Sequence, residues 1–461
     1  METAQWSKAD LADLRLGDKR LARRAQRIVD DLSKNPGGSI PQISGDWAAT
    51  KAAYDFFAND EVDPRQLIEA ERLATLRRAS EHALVLGVQD TTEINLTRYK
   101  SVEGVGFLAR NEQKGIFVHT TLAVSADGLP LGLLAQEHWV RTEKADPKTK
   151  RQRQRERPIE EKESYKWLQA FQQSTATLPE STDLLFVSDA ESDVYEYFTL
   201  PRPARVGLLV RASQDRRLLD SELLLWSTLR QTPLAGTIEV DVHNTDDQPE
   251  RIAHCEVRFR PVRLQPPNSN RAKHLPRLKP ISLYAVLIEE RNPPSDTTSI
   301  SWLLLTSWPV TTFAEALQII RFYTYRWRIE RFHFVLKSGC RIEQRRLQSV
   351  TAIVRFLALA NIVAWRLLWL TYLARMTPDE PCSLALQPHE WQALYVLTHA
   401  STEIPAQPPS LQLALRWLAQ LGGFLGRTHD GQPGVQSLWK GWILLAPAAR
   451  IFVLMRPPPD A

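Results

Sequence analysis

Near residue 83 the spacing of apolar residues changes from helical to strand-like, and this change restricts the fold more than any other feature of the chain. Upstream, LADLRLGDKRLARRAQRIVDDLSK repeats its apolar residues at helical spacing and keeps a basic opposite face. NPGGS breaks it, and DWAATKAAYDFFAND begins another helix. Downstream, ALVLGVQDTTEINL reads as a strand that ends in polar residues. GIFVHTTLAVSADGLPLGLLAQEHW reads as two strands joined at Asp127 and Gly128, a strong hairpin signal. SYKWLQAFQQST is helical, DLLFVSDAES is a buried strand closing in acids, DVYEYF opens a helix, and RVGLLVRAS is a further strand.

The order β, β-hairpin, α, β, α, β is that of the ribonuclease H-like fold, an α/β architecture whose central strands carry catalytic carboxylates. Residues 216–300 interrupt it. They are rich in Thr, Val, Pro, Asn and Arg, and hold strand-like pieces at GTIEVDVH, AHCEVRFRPVRL and ISLYAVLIEE. They read as an inserted, mostly β subdomain with a loose basic loop, QPPNSNRAKHLPRLKP. SWLLLTSW returns to strand, and 312–346 and 350–375 return to helix. The expected division is a helical region 1–75, a core 76–375 with the insertion at about 216–300, and a helical region 376–461.

Asp90 closes LVLGVQD and Asp189 closes LLFVSD. Acids at the ends of neighbouring strands can point at one spot. Tyr323, Arg326, Glu330 and Lys337 fall within about 60° of one another on a helical wheel, so one helix stripe would carry an acid, two bases and a phenol. Three carboxylates without a His or Cys cluster make an all-oxygen site. That favours Mg2+ or Mn2+ over zinc, as two ions about 3.5–4 Å apart that activate water and stabilise a leaving oxygen. The plainer alternatives are strand-end turns or helix caps for the two aspartates, and an i,i+4 ion pair on a solvated face for Arg326 and Glu330.

The charge balance supports a polyanionic partner. The net charge is only +5, but basic residues cluster at 19–27, 144–157, 271–279 and 321–346. Cys255, Cys340 and Cys382 are far apart, which excludes a CxxC zinc pattern and argues against a disulfide framework; a reducing cytoplasm fits. The opening METAQWSKADLADL has no apolar signal core. The most apolar stretch, 352–374, is interrupted by Arg355, Asn361 and Arg366 and reads as a buried core helix.

The spacing Tyr323-x2-Arg326-x3-Glu330-x6-Lys337 resembles the signature of the insertion-sequence-four family of bacterial DDE transposases. QDTT at 89–92, EKESYKWL at 161–168, SDAESD at 188–193, WLLLTS at 302–307 and YTYRWRIERFH at 323–333 resemble its Tn-five-type members in particular. LRLGDKRLARR at 14–24 and LGGF at 421–424 extend the likeness to both ends.

The resemblance implies a cut-and-paste transposase in which Asp90, Asp189 and Glu330 hold two divalent ions. One strand is hydrolysed at the transposon end, the freed 3′-hydroxyl forms a hairpin on the other strand, the hairpin is reopened, and the 3′-hydroxyls attack target DNA. It also implies that Tyr323, Arg326 and Lys337 contact phosphates near the scissile end, that Trp302 stacks on a base flipped from the hairpin, and that Lys166 and Arg211 contact DNA. His333, one turn from Glu330, is a further DNA-contact candidate beside the reading of a structural histidine. The N-terminal region would bind double-stranded transposon ends through Lys19, Arg20, Arg23, Arg24 and Arg27. The C-terminal region would form a homodimer in a synaptic complex, acting in the bacterial cytoplasm at the nucleoid.

Two other readings are open. A resolvase- or repair-type metal nuclease on the same fold needs the acids but not the Tyr-Arg-Lys set or Trp302. A regulator derived from a transposase needs neither, and expects a lost acid or a truncated start.

Overall fold

Aspartates set where the N-terminal helices begin. The computed structural model describes residues 5–144, 157–176, 178–242, 251–267, 277–295, 297 and 299–455; the basic runs at 144–157 and 271–279 fall mostly outside them. The first helices are α1 (Gln5–Asp10), α2 (Lys19–Lys34), α3 (Ile40–Ser44), α4 (Trp47–Ala58) and α5 (Pro64–Ala79). Asp18, Asp46 and Asp63 accept from the backbone N–H of Arg20, Ala49 and Arg65 at 2.7, 2.7 and 2.9 Å, satisfying donors that a helix start leaves open. Helix α2 buries Ala25, Ile28, Val29 and Leu32, while Lys19, Arg20, Arg23 and Arg27 face solvent and Arg24 is half-buried.

The strands are β1 (Leu84–Asn95), β2 (Gly106–Phe107), β3 (Lys114–Ser125) and β4 (Pro130–Trp139), then β5 (Asp183–Ser188), β6 (Val206–Arg211), β7 (Gly236–Val242), β8 (Arg251–Leu264), β9 (Ile281–Glu290) and β10 (Ser301–Thr306). Among the described residues three α-helices intervene: α6 (Tyr165–Thr175) and the short α7 (Tyr195–Phe198) and α8 (Leu225–Gln231). Among the described residues, one mixed sheet runs in the order β2-β3-β1-β5-β6-β10-β9-β8-β7, with β4 also paired to β3. β3 is antiparallel to both β1 and β4, whereas β1, β5 and β6 are parallel. The central strand β5 is buried on both faces after its first residue, as parallel strands covered by helices are.

The inserted β strands extend the main sheet: β9 pairs with β10 from Ser301↔Glu289 to Thr306↔Tyr284, and β8 and β7 follow outward. The reason is the open edge of β10, whose N–H and C=O groups need partners.

Helices α9 (Phe313–Thr324), α10 (Trp327–Phe334) and α11 (Val350–Met376) follow the sheet, then α12 (Pro388–His399), α13 (Leu411–Leu421) and α14 (Val435–Met455). α11 is the core helix expected at 352–374, and nearly every side chain from Ala352 to Ala374 is buried. Its Arg355 donates to the carbonyls of Val62 and Phe57 at 2.7 and 2.9 Å, fastening the N-terminal helices to the core. Among the described residues, two helices, α11 and α14, are long and apolar enough to cross a membrane. α11 spends that character on the core, whereas α14 exposes Leu444, Ile451 and Leu454.

Candidate active site

Parallel pairing of β1 with β5 carries the two aspartates to one place. The parallel register closes at Gln89↔Ser188, so Asp90 and Asp189 follow side by side. Asp189 lies just past the end of β5, but Asp90 does not close its strand as expected, because β1 continues to Asn95 on its antiparallel pairing with β3. Each also makes a local bond: Asp90 Oδ1 accepts from the Thr91 N–H at 2.7 Å, and Asp189 Oδ1 from the Glu191 N–H at 2.9 Å. These local bonds and a shared site are compatible, because each uses Oδ1 and leaves Oδ2.

Glu330 comes from α10. The stripe of Tyr323, Arg326, Glu330 and Lys337 was expected on one helix, and the structure corrects this. α9 stops at Thr324, Tyr325 and Arg326 form a turn, α10 runs to Phe334, and Val335–Gly339 winds as a π-turn. Tyr323 lies on α9, Arg326 at the break, Glu330 on α10 and Lys337, half-buried, in the π-turn. The bond from Arg326 Nη2 to Glu330 Oε1, 2.7 Å, crosses the break.

Electrostatics tie these groups together. Burial, and next the charge of Asp189, push the Asp90 carboxyl up to about 7; Glu330 adds to this, while the Thr91 N–H and Arg326 oppose it. Burial likewise raises Asp189, against its own backbone bond and the charges of Arg326 and Lys166. Among the described residues, no three Asp, Glu, His or Cys side chains stand as a finished metal-ligand set. The donors nonetheless fit a hard divalent ion. They are carboxylate oxygens, and the proton held by Asp90 near neutrality marks a cluster short of positive charge.

Around the acids, Tyr323 is buried, with its ring edge-on to Trp302 at 5.4 Å between centroids. Burial raises its phenol, and Arg326 and Arg211 oppose that rise. Arg211 ends β6 opposite Leu304 of β10, which brings Trp302, Tyr323, Arg211 and Arg326 into one neighbourhood. Lys166 is buried, paired with Glu191 at 2.7 Å, and held near the rings of Trp139 and Trp167.

His333 is 5% exposed, and burial, then Lys337, push its imidazole down to about 3. The ring is enclosed in this arrangement, and its Nε2 has no hydrogen-bond partner. Asp193 is not the helix-start residue it resembles in sequence. It accepts from the N–H groups of Ser213 and Gln214 at 2.8 and 2.7 Å and pairs with Arg216. Lys19, Arg20, Arg23, Arg24 and Arg27 sit on α2.

Two exposed indoles went unread in the sequence. Trp327 is 53% exposed with the Arg326 guanidinium 4.8 Å from its ring, and its only signal was adjacency to Arg326. Trp47 is 80% exposed at the start of α4, where a helix of mostly small residues gave no hint of its direction.

Three transposase families match segments of the chain. Residues 3–62 match a transposase DNA-binding family, 133–366 a transposase DDE domain, and 362–453 the transposase Tn5 dimerisation domain. The DDE match includes Asp189 and Glu330 and begins after Asp90, so the place of Asp90 rests on the β1–β5 register. The DDE domain implies dependence on a divalent metal, and the flanking matches support DNA binding and dimer formation. Since the DDE match alone covers just over half of the 461 residues, with the other two on either side, the chain belongs to the DDE transposases of the Tn5 type.

Proposed function

We propose that the protein is a cut-and-paste DNA transposase working through a hairpin, on a ribonuclease H-like core. The observation that carries this is Asp90 beside Asp189 on parallel strands, with Glu330 and Arg326 in the same electrostatic neighbourhood. The order β4-β3-β1-β5-β6, antiparallel then parallel, supports the fold assignment.

Asp90, Asp189 and Glu330 are the groups that would hold the metal. Mg2+ or Mn2+, two ions per site, would supply a lowered pKa for water and charge neutralisation on the phosphodiester. The protein's own part is positioning. Arg326, Lys337 and the Tyr323 hydroxyl bind non-bridging phosphate oxygens and hold the scissile phosphorus in line with its attacker. In the first step a P–O bond to water forms, the P–O3′ bond breaks, and the 3′-oxygen leaves as a hydroxyl. That hydroxyl attacks the opposite strand to close a hairpin, water reopens it, and the freed 3′-hydroxyl attacks target DNA. Each step exchanges one P–O bond for another, so a single site serves all four.

Trp302, at the start of β10 against Tyr323, offers an indole face to the base that a tight hairpin cannot keep stacked, worth about 1–3 kcal/mol. Lys166 and Arg211 support the same DNA path. α2, with Lys19, Arg20, Arg23, Arg24 and Arg27, binds the end's phosphates. The exposed apolar face of α14 joins two copies, each cutting the end held by the other. The bacterial cytoplasm is the compartment we assign, in keeping with the three free cysteines.

The test is incubation of the protein with Mg2+ and linear DNA carrying the element's ends. Nicked, hairpin and strand-transfer products are expected. Nicks without hairpins would point to an ordinary metal nuclease. Trp302→Ala is expected to slow hairpin steps more than the first nick; equal slowing of both would remove the stacking role.

A further inference from the structure

Arg326 stands where a cation belongs. Its guanidinium is 8% exposed, bonds Glu330 at 2.7 Å, and acts on both Asp90 and Asp189. One arm of it is idle: Nε is buried with no hydrogen-bond partner. A buried guanidinium with an unused donor is incompletely satisfied, whereas a phosphate could take two of its N–H groups at once. Meanwhile one carboxylate oxygen of Glu330, Oε1, is engaged by Arg326, and among the described residues no three-ligand set stands ready.

We propose that Arg326 is an internal counter-ion: it keeps the acid cluster closed to divalent cations until a DNA phosphate draws it away, so that metal loading and end binding are coupled. This rests on the metal-site reading above and adds an order of assembly to it. DNA-free protein would bind metal poorly and would not cut at random. An end phosphate entering the site would bond the idle Nε and a neighbouring N–H, release Glu330, and leave three carboxylates without their cation. Arg326 acts here through Glu330, as a positioning residue. By linkage, metal must tighten end binding by the same factor that DNA tightens metal binding.

The experiment is a Mn2+ titration followed by electron paramagnetic resonance on the full chain. It is run at about pH 8.5 so that protons do not compete for the carboxylates, with and without a pre-cleaved end duplex. Wild type is expected to bind Mn2+ about tenfold or more tightly once the duplex is present. Arg326→Gln is expected to bind that tightly without DNA and to gain little from it. Arg326→Lys, which keeps the charge, should stay close to wild type. An Arg326→Gln protein with normal melting behaviour that binds Mn2+ no better than DNA-free wild type would overturn the proposal. So would Arg326→Lys matching Arg326→Gln. Should the glutamine variant fail to fold, equal Mn2+ affinity of wild type with and without duplex overturns it. Wild type that binds no Mn2+ even with duplex removes the metal site itself, and this inference with it.

Discussion

Asp90 is a carboxylate of the site that burial moves far from its ordinary state. An unfolded aspartate titrates near 3.9, and in the folded, metal-free protein Asp90 titrates at about 7. Below the lower value the proton is bound in both states, and burial of the neutral acid costs nothing extra. Between the two values the unfolded chain releases the proton and the folded one retains it, so stability falls as pH rises, and the full penalty is present above 7. Asp90→Asn should therefore raise the melting temperature of metal-free protein at pH 8, by about 1 °C per kcal/mol gained for a chain of this length, with little change at pH 4. Equal shifts at both values would contradict the assigned cause. Glu330→Ala should lower nicking about 10³-fold or more while leaving end binding nearly unchanged, read by gel shift and denaturing gel on the same samples. At this scale the sequence was legible where chemistry is local. An acid closing an apolar strand is visible in VSD, whereas VQD misled, because β1 runs on past Asp90 to Asn95. The partners of Asp193 were not visible, because Ser213 and Arg216 meet it only after β6 has returned the chain.

Among the elements, the break between α9 and α10 matters most, and the sequence concealed it. YTYRWR contains neither Gly nor Pro, so a continuous helix was the natural expectation. The turn is built instead from i→i+3 bonds, Tyr325 N–H to Phe322 at 3.2 Å and Arg326 N–H to Tyr323 at 3.0 Å. The β3–β4 hairpin, which was legible from Asp127 and Gly128, supports it from outside. Gly128 accepts from Arg328 Nε at 3.2 Å and has φ +96°, and a Cβ there would come within 2.9 Å of the Tyr325 ring. Gly128→Ala should cost about 1–3 kcal/mol in denaturant unfolding and reduce nicking by displacing Glu330; unchanged nicking would separate the hairpin from the site. Helix α5 holds a second feature. Glu71 is 1% exposed, with both carboxylate oxygens unpartnered, and burial beside Asp10 drives its pKa up. Its proton is lost at a cost as pH rises, so Glu71→Met should stabilise the protein by about 1–3 kcal/mol, more at pH 9 than at pH 5. A stability loss at pH 9 would show that an unseen partner satisfies the glutamate.

For the whole molecule, helical period before residue 83 and strand order after it were enough to place a helical start ahead of an α/β core. The insertion's strands were legible too, but their attachment to β10 was not, since edge pairing between segments distant in sequence leaves no local mark. The outward face of α14 was equally hidden, because an apolar helix reads alike whether it fills a core or meets a second copy. Leu444→Glu with Ile451→Glu should leave the fold intact and shift the protein toward monomer in analytical ultracentrifugation, with end binding retained and cleavage lost. A variant that stays dimeric would place the contact elsewhere. The account stands on three acids acting as one centre, and anomalous diffraction at the manganese edge from a protein–end-DNA complex tests that directly. The expected map has its peaks bonded to oxygens of Asp90, Asp189 and Glu330, with Arg326 turned to phosphate. Peaks absent from that cluster, or bonded elsewhere with Arg326 still on Glu330, would contradict it.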